Sequence, residues 1–249
     1  MEKSEGFDCE KVLPYEQEGG KKEQIVRMFD AISDNYDPMN RFMTFGIDTI
    51  WRKNAILSLK KFQPKTILDV ATGTGDFAIN AFRLLQPEKI VGIDISEGML
   101  KVGEVKVSAP EFQSKIELKV GDSTNLEFKD ATFDAATVAF GVRNFEDLEK
   151  GISEMCRVLK PGGHLVILEM SEPEYFPIRE LYRAYSKTVI PAFARLFSKD
   201  RKAYTYLPKS IEAFPQGKVM TELLKKCGFS SVVYKKYTMG VCAFYLAEK

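Results

Sequence analysis

Leu68-Asp69-Val70-Ala71-Thr72-Gly73-Thr74-Gly75-Asp76 is the stretch whose reading decides the fold. Thr66–Val70 is a short apolar run of the length and composition of a buried strand. Two glycines separated by one residue then break the pattern, and helical spacing resumes from about Phe77 to Leu85. A strand, a glycine turn and a helix in that order let the backbone come close to a ligand, because glycine places no side chain in the way.

Outward from this turn the chain repeats the same rhythm. Lys89–Ile95 predicts a second strand, and Ser96 is placed to cap the helix that follows. Ile116–Val120 is a third strand ending at Gly121-Asp122-Ser123, and Phe133–Val138 is a fourth, leading through Ala139 into Phe140-Gly141-Val142-Arg143-Asn144. A helix with Leu148, Ile152, Met155 and Leu159 on one face stops at Lys160-Pro161-Gly162-Gly163, where glycine supplies a left-handed end. His164–Met170 is the fifth strand. Alternating strands and helices predict an α/β fold with a parallel sheet covered on both faces.

The rhythm lapses twice. Residues 23–62 read as N-terminal helices, with Ile25, Phe29 and Ile32 on one face and a break at Tyr36-Asp37-Pro38-Met39-Asn40, where Pro38 disfavours helix at the residue before it. Residues 172–212 are rich in aromatic and basic side chains and too long for a simple connection, so they predict a helical insertion after strand five. A helix near Lys218–Cys227 and strands at Ser231–Tyr237 and Val241–Leu246 close the chain. The strands are joined so tightly that they must be antiparallel. Residues 1–22 are polar and aperiodic and read as a flexible tail, leaving 23–249 as one domain.

Bulk composition removes several classes. Basic and acidic residues number 36 and 35, so no basic excess points to nucleic acid. Cys9, Cys156, Cys227 and Cys242 lie far apart with His164 as the single histidine, which disfavours a metal centre and fits reduced thiols in a cytosolic chain. The first residues are polar rather than leader-like, and no apolar run approaches the ~20 residues of a membrane span.

Asp94, about 19 residues beyond Gly75 at the end of strand two, is placed to accept both hydroxyls of an adenosine ribose. Asp122 and Ser123 stand where an adenine amino group would lie. The spacing Gly73-x-Gly75-x-x-Ala78 also satisfies a dinucleotide fingerprint, so taken alone it separates nothing. Asp69 and Asp76 flanking the turn favour a cationic sulfonium and would repel a pyrophosphate. Leu159-Lys160-Pro161-Gly162-Gly163 before strand five and the terminal antiparallel pair resemble features of class I methyltransferases. These features together favour S-adenosyl-L-methionine over a nicotinamide cofactor.

After strand four, an Asp/Asn-Pro-Pro-aromatic motif would mark methylation of an exocyclic amine, and this chain has Phe140-Gly141-Val142-Arg143-Asn144-Phe145 instead. That segment, with Met28-Phe29-Asp30-x-Ile32-x-x-x-Tyr36-Asp37-x-Met39-Asn40, Thr44-Phe45-Gly46-Ile47, Trp51-Arg52, Leu168-Glu169-Met170-Ser171 and Tyr206-Leu207-Pro208-x-Ser210-Ile211, resembles the ubiquinone/menaquinone biosynthesis C-methyltransferase family over about residues 24–247. The resemblance implies a Rossmann-like, seven-stranded, mainly parallel sheet with an antiparallel C-terminal hairpin. It implies S-adenosyl-L-methionine as donor, held by Asp69, Gly73, Thr74, Gly75, Asp94, Ile95, Asp122, Ser123 and Ala139. It implies a prenylated quinol as acceptor, demethylmenaquinol ahead of a methoxy-benzoquinol of ubiquinone synthesis. Another small phenol or sterol, and a non-catalytic donor-binding module, are the other classes to be distinguished. The chain departs from the family pattern at Asp48, where a histidine is usual, and at Ala139, where a serine is usual.

Carbon is a poor nucleophile until a neighbouring phenol loses its proton, so the site needs proton removal and anion stabilisation. Arg143 stays protonated and is expected to stabilise the phenolate, with Asn144 as a hydrogen-bonding partner, Tyr36 closing the site and Asp48 as base or substrate contact. The aromatic insertion suits a prenyl tail, with Phe193 and Phe197 as test positions, and leaves peripheral contact with the inner face of the membrane open, as it does a homodimer.

Overall fold

The computed structural model describes residues 6–15, 19–190, 192 and 201–249. In chain order the elements are α1 (Asp8–Lys11), α2 (Lys21–Ile32), α3 (Tyr36–Met43), α4 (Asp48–Leu57), β1 (Thr66–Val70), α5 (Asp76–Leu85), β2 (Lys89–Asp94), α6 (Glu97–Val107), β3 (Ile116–Val120) and β4 (Phe133–Ala139). They continue with α7 (Leu148–Val158), β5 (Leu159–Met170), α8 (Ile178–Ala184), α9 (Arg201–Ala213), α10 (Lys218–Lys226), β6 (Ser231–Tyr237) and β7 (Cys242–Glu248).

Successive strand residues point to opposite faces, and here both sets are apolar, which forces cover on both sides. Ile67, Ile90, Ala135, Val166 and Phe244 form one core with Trp51, Ala55 and Ile56 of α4 and Phe77, Ala78 and Ala81 of α5. Leu68, Val70, Val138, Ile167 and Tyr245 form the other with Leu148, Ile152 and Met155 of α7 and Met220, Leu223 and Leu224 of α10. The seven strands run in the order β3-β2-β1-β4-β5-β7-β6, with β1 through β5 parallel and β7 antiparallel to both its neighbours. Leu68 of β1 pairs with Val91 on one side and Ala136 on the other. Chain order therefore reverses between β1 and β4, and a crevice opens beyond their carboxyl ends. The expected sheet, hairpin, N-terminal helices and insertion are all present.

Three local expectations are corrected. The stretch read as a flexible tail is packed in residues 6–15: the Cys9 side chain is fully buried in the α7 core, and Val12 and Tyr15 join a third cluster with Ile25, Met28 and Tyr206. Composition misled here because two buried side chains, Cys9 and Tyr15, suffice to fix a stretch that is otherwise polar. The helix break falls at Ser33–Asn35 rather than at Pro38, which sits in the first turn of α3, where its missing N–H costs nothing. Helix α7 ends because Leu159 turns extended (φ −74, ψ 141), and Lys160–Gly163 is an irregular start of β5.

Candidate active site

The crevice beyond β1, β2 and β4 is a cavity floored by Val70, Ala71, Gly73, Asp94, Ile95, Gly121, Asp122, Ser123 and Ala139, and roofed by Ile25, Phe29 and Tyr36 from α2 and α3. Asp94 is the polar anchor of the floor. One carboxylate oxygen accepts the Gly73 N–H at 2.8 Å and the other accepts the Ser96 N–H at 2.9 Å. Each oxygen keeps a further lone pair, the requirement for receiving two adjacent hydroxyls. Burial pushes the Asp94 carboxyl up to about 6. Gly73 takes φ +58, and a Cβ built on it would lie 3.4 Å from the Met99 methyl, so the glycine keeps this wall open.

Asp122 accepts the Thr124 N–H at 2.8 Å and pairs with Lys22 at the opposite rim. Burial works against its ionisation, but the Lys22 and Thr124 bonds outweigh it and hold the carboxyl below its usual range. Helix α2 is fastened at its far end as well, where Asp30 accepts the Gly98 N–H at 2.9 Å and the Ser96 hydroxyl at 2.6 Å. Residues of this kind and placement fit the adenosine part of a sulfonium donor.

Four turn residues sit elsewhere than expected. Asp69 is buried below the floor, accepting the hydroxyls of Thr72 at 2.6 Å and Thr137 at 2.5 Å, and burial pushes its carboxyl up to about 6. Asp76 pairs with Lys106 at 2.7 Å and Arg41 at 3.5 Å. Thr74 donates to Asp37 of α3 at 2.7 Å, and Gly75 (φ +77) packs toward Leu118 and Gly103 of α6. None of the four lines the cavity. The flanking carboxylates, offered from sequence as attraction for a cation, therefore brace the turn instead.

A second, larger cavity lies between α2–α4 and the insertion. It encloses about 1280 Å³ counting its open mouth, against 690 Å³ for the first. Its lining is chiefly apolar and aromatic, including Met28, Ile32, Met43, Trp51, Tyr182, Tyr185, Ile190 and Leu207. Phe29, Tyr36 and Phe140 belong to both cavities, so the two chambers share one wall. Burial raises the Tyr36 pKa, which keeps this phenol protonated.

The polar groups of the second chamber are few and held. Arg143 donates through Nη1 to Glu169 at 2.6 Å and to the Phe140 carbonyl at 2.5 Å, and its own N–H donates to Glu169 at 3.2 Å. Burial alone would lower the Arg143 pKa, but Glu169 raises it above its ordinary value. Arg143 Nε is buried without an acceptor. Asn144 lines the first chamber and accepts the Tyr206 hydroxyl of the insertion at 2.9 Å. Asp48, 3% exposed, accepts from Thr44 at 2.9 Å, Arg41 at 3.2 Å and Arg52 Nε at 3.3 Å. The Arg52 guanidinium lies over the Phe140 ring, 4.8 Å from its centroid.

The structure thus gathers Arg143, Asn144, Tyr36 and Asp48 around the shared wall, with Asp94, Ile95, Asp122, Ser123, Gly73 and Ala139 lining the first cavity. His164 lies away from both chambers, just after the irregular start of β5, stacked on Phe62 at 3.5 Å, and burial lowers its pKa. Among the described residues no group of three metal-ligating side chains occurs. Phe193 and Phe197 lie outside the described residues. Sequence reasoning missed Glu169, although one acid inside the apolar run Leu165–Met170 signals a buried partner. It also missed Phe29 as part of the wall, and Lys21, which lay within the presumed tail.

A model of the ubiE/COQ5 methyltransferase family matches residues 17–249. A demethylmenaquinone methyltransferase of Bacteroides fragilis is 53% identical, with 98% of this chain and 99% of that one covered. The protein of the same name from Porphyromonas gingivalis is 42% identical over 96% and 98%. The ubiquinone/menaquinone biosynthesis C-methyltransferase UbiE of Geobacter sulfurreducens is 40% identical over 98% and 95%. Among solved structures, the [4+2]-cyclase SpnF superimposes with a TM-score of 0.67 at 16% identity, covering 92% of this chain and 96% of that one. A SAM-dependent methyltransferase from Aquifex aeolicus gives 0.54 at 19% over 74% and 81%. A cyclase and a methyltransferase on one fold mean that the fold alone does not select the chemistry.

Proposed function

The chain belongs to the ubiE/COQ5 methyltransferase family, and from that premise we propose that it moves the methyl group of S-adenosyl-L-methionine to a ring carbon of a polyprenylated quinol, demethylmenaquinol in menaquinone biosynthesis. The observation that carries this reading is the pair of chambers sharing the Phe29–Tyr36–Phe140 wall. A polar floor with Asp94 suits a nucleoside, and the larger, chiefly apolar and aromatic chamber suits an aromatic ring with the start of an apolar chain.

In this reading Asp94 receives the ribose hydroxyls, Gly73, Ile95, Ser123 and Ala139 shape the adenosine seat, and Asp122 marks its adenine end. Asp69, Thr74 and Gly75 act one layer behind, by fixing the turn. When bound, the donor supplies the electrophilic methyl; the protein supplies alignment and charge. Arg143 offers its unpartnered Nε–H to the phenolate oxygen as the ring gains electron density. Asp48 takes the phenol proton, with Arg41 and Arg52 holding its carboxylate in place; once the carbon is methylated, its own ring proton leaves to solvent and Asp48 returns the first proton to the oxygen, which restores the quinol. Tyr36, kept neutral by burial, serves as wall and hydrogen-bond donor rather than as base.

The mouth of the acceptor chamber supports a peripheral contact with lipid. Phe45 lines the chamber yet is 74% exposed, and its ring neighbours are Phe42 and Tyr185, at 6.4 and 6.1 Å. An apolar rim around an apolar chamber lets a prenyl tail pass from a bilayer without crossing water. Among the described residues no helix is long and apolar enough to span a membrane.

The name of the Geobacter relative covers ubiquinone as well as menaquinone synthesis, which makes a methoxy-benzoquinol the second candidate. Mass spectrometry of quinones from cells lacking the protein separates the two. Accumulated demethylmenaquinone is expected; accumulated demethylated benzoquinone would support the second acceptor, and an unchanged quinone profile would refute both.

A further inference from the structure

Lys21 lies in a segment whose composition suggested no role, yet it is only 4% exposed. Its ammonium donates to the main-chain carbonyl of Cys9 at 2.6 Å and to that of Arg143 at 3.2 Å. Arg143 is therefore gripped at both ends of its backbone: Glu169 accepts its N–H and Lys21 donates to its carbonyl. The other anchor of Lys21 is equally fixed. Cys9 is fully buried against the α7 core, and Glu10 beside it accepts the Leu148 N–H at the start of α7 at 2.8 Å. Further along the same stretch, the Tyr15 N–H donates to Gln24 of α2 at 3.0 Å, and Tyr15 packs with Met28, Ile190 and Tyr206, which line the acceptor chamber.

We propose that Lys21 is a positioning residue for Arg143: it hangs the Arg143–Asn144 turn from the Cys9 carbonyl, so that residues 6–15 act as a strap fixing where the guanidinium meets the acceptor. A lysine suits the post. It supplies several N–H donors from one atom and so joins two carbonyls that no apolar side chain could satisfy. Burying an ammonium against carbonyls is costly, and burial pushes the Lys21 pKa down to about 8, with Glu10 and Glu146 opposing and Arg143 adding to the shift. A merely space-filling position would be occupied more stably by methionine.

The inference rests on Arg143 taking part in methyl transfer, and the experiment keeps the two apart. Lys21→Met, assayed with S-adenosyl-L-methionine and a short-chain demethylnaphthoquinol, is expected to lower kcat by about ten- to a hundred-fold, the scale set by small misplacement of a catalytic group. Donor Kd by calorimetry stays within about two-fold, because Asp94 and its partners are untouched. In an Arg143→Ala background the same substitution is expected to change the residual kcat no further. Loss of stability with kcat per folded molecule unchanged, or losses that multiply with Arg143→Ala, would overturn the proposal. An Arg143→Ala variant with unimpaired turnover would instead refute the catalytic reading. Should Lys21→Met fail to fold, Glu10→Ala removes the acceptor of the Leu148 N–H and loosens the strap at its other anchor; kcat falling several-fold at constant donor Kd upholds the strap, and an unchanged kcat refutes it.

Discussion

Replacing Glu169 by Gln removes the carboxylate that, among the described residues, pairs with Arg143. Glu169 is fully buried and accepts three N–H groups: Arg143 Nη1 at 2.6 Å, the Arg143 backbone at 3.2 Å and the Met170 backbone at 2.8 Å. The amide keeps the shape but leaves a guanidinium, 6% exposed, without its counter-charge. Breaking a buried pair in this way costs about 3–5 kcal/mol. At ~2–4 °C per kcal/mol for a chain of this size, Tm falls by roughly 6–20 °C. Urea unfolding followed by circular dichroism measures the free energy, and methyl transfer on the folded fraction is expected to fall with it. The control is Glu169→Gln combined with Arg143→Met. Without either charge most of the lost stability is expected to return, but turnover is not, since the group proposed to meet the acceptor is gone. A single variant costing under ~1 kcal/mol, the worth of an exposed pair, would refute the reasoning, as would a double variant no more stable than the single.

Donor affinity is expected to depend on pH through Asp94. On the proposed reading ribose hydroxyls donate to the ionised carboxylate, whose pKa is raised to about 6 in the free protein, so affinity is expected to be flat above that value and to weaken about tenfold per pH unit below it. Calorimetry from pH 5 to 8 checks this, with Asp69→Asn as a control because Asp69 also titrates near 6; constant affinity down to pH 5 would contradict the assignment. Gly141→Ala would set its Cβ 2.5 Å from the Ala71 Cβ, a clash between the β1 and β4 ends of the donor floor. It is expected to cost about 1–3 kcal/mol and weaken donor binding, and Ala71→Gly, at a residue with φ +53, should restore both; failure of that rescue would place the damage elsewhere. Phe45→Ser is expected to raise KM for long-chain quinols and reduce co-sedimentation with vesicles while sparing short-chain analogues. Equal losses for both acceptors would remove the case for a lipid-facing rim.

Strands β1, β3 and β6 were legible to the residue: β1 is an apolar run, and β3 and β6 are short β-favouring stretches bounded by turns. Asp94 was legible too, since an acid closing a strand at fixed distance from a glycine turn has one geometric consequence. Asp69 shows where such reasoning runs out. Its side chain follows from sequence, but whether it faces a ligand or Thr72 and Thr137 is set by packing between β1 and β4. Lys21 and Cys9 were hidden for the opposite reason, as their neighbours are polar and nothing periodic marks them. Glu169 carried a signal in its apolar strand, but its partner, 26 positions away, could be assigned only in three dimensions.

Carbon methylation at the shared wall is tested most directly with purified protein, methyl-labelled S-adenosyl-L-methionine and demethylmenaquinol, the product being assigned by nuclear magnetic resonance. The label is expected on the vacant ring carbon, with the signal lost in Arg143→Ala while donor binding persists. Label on a quinol oxygen, or no transfer to any quinol despite donor binding, would contradict the account.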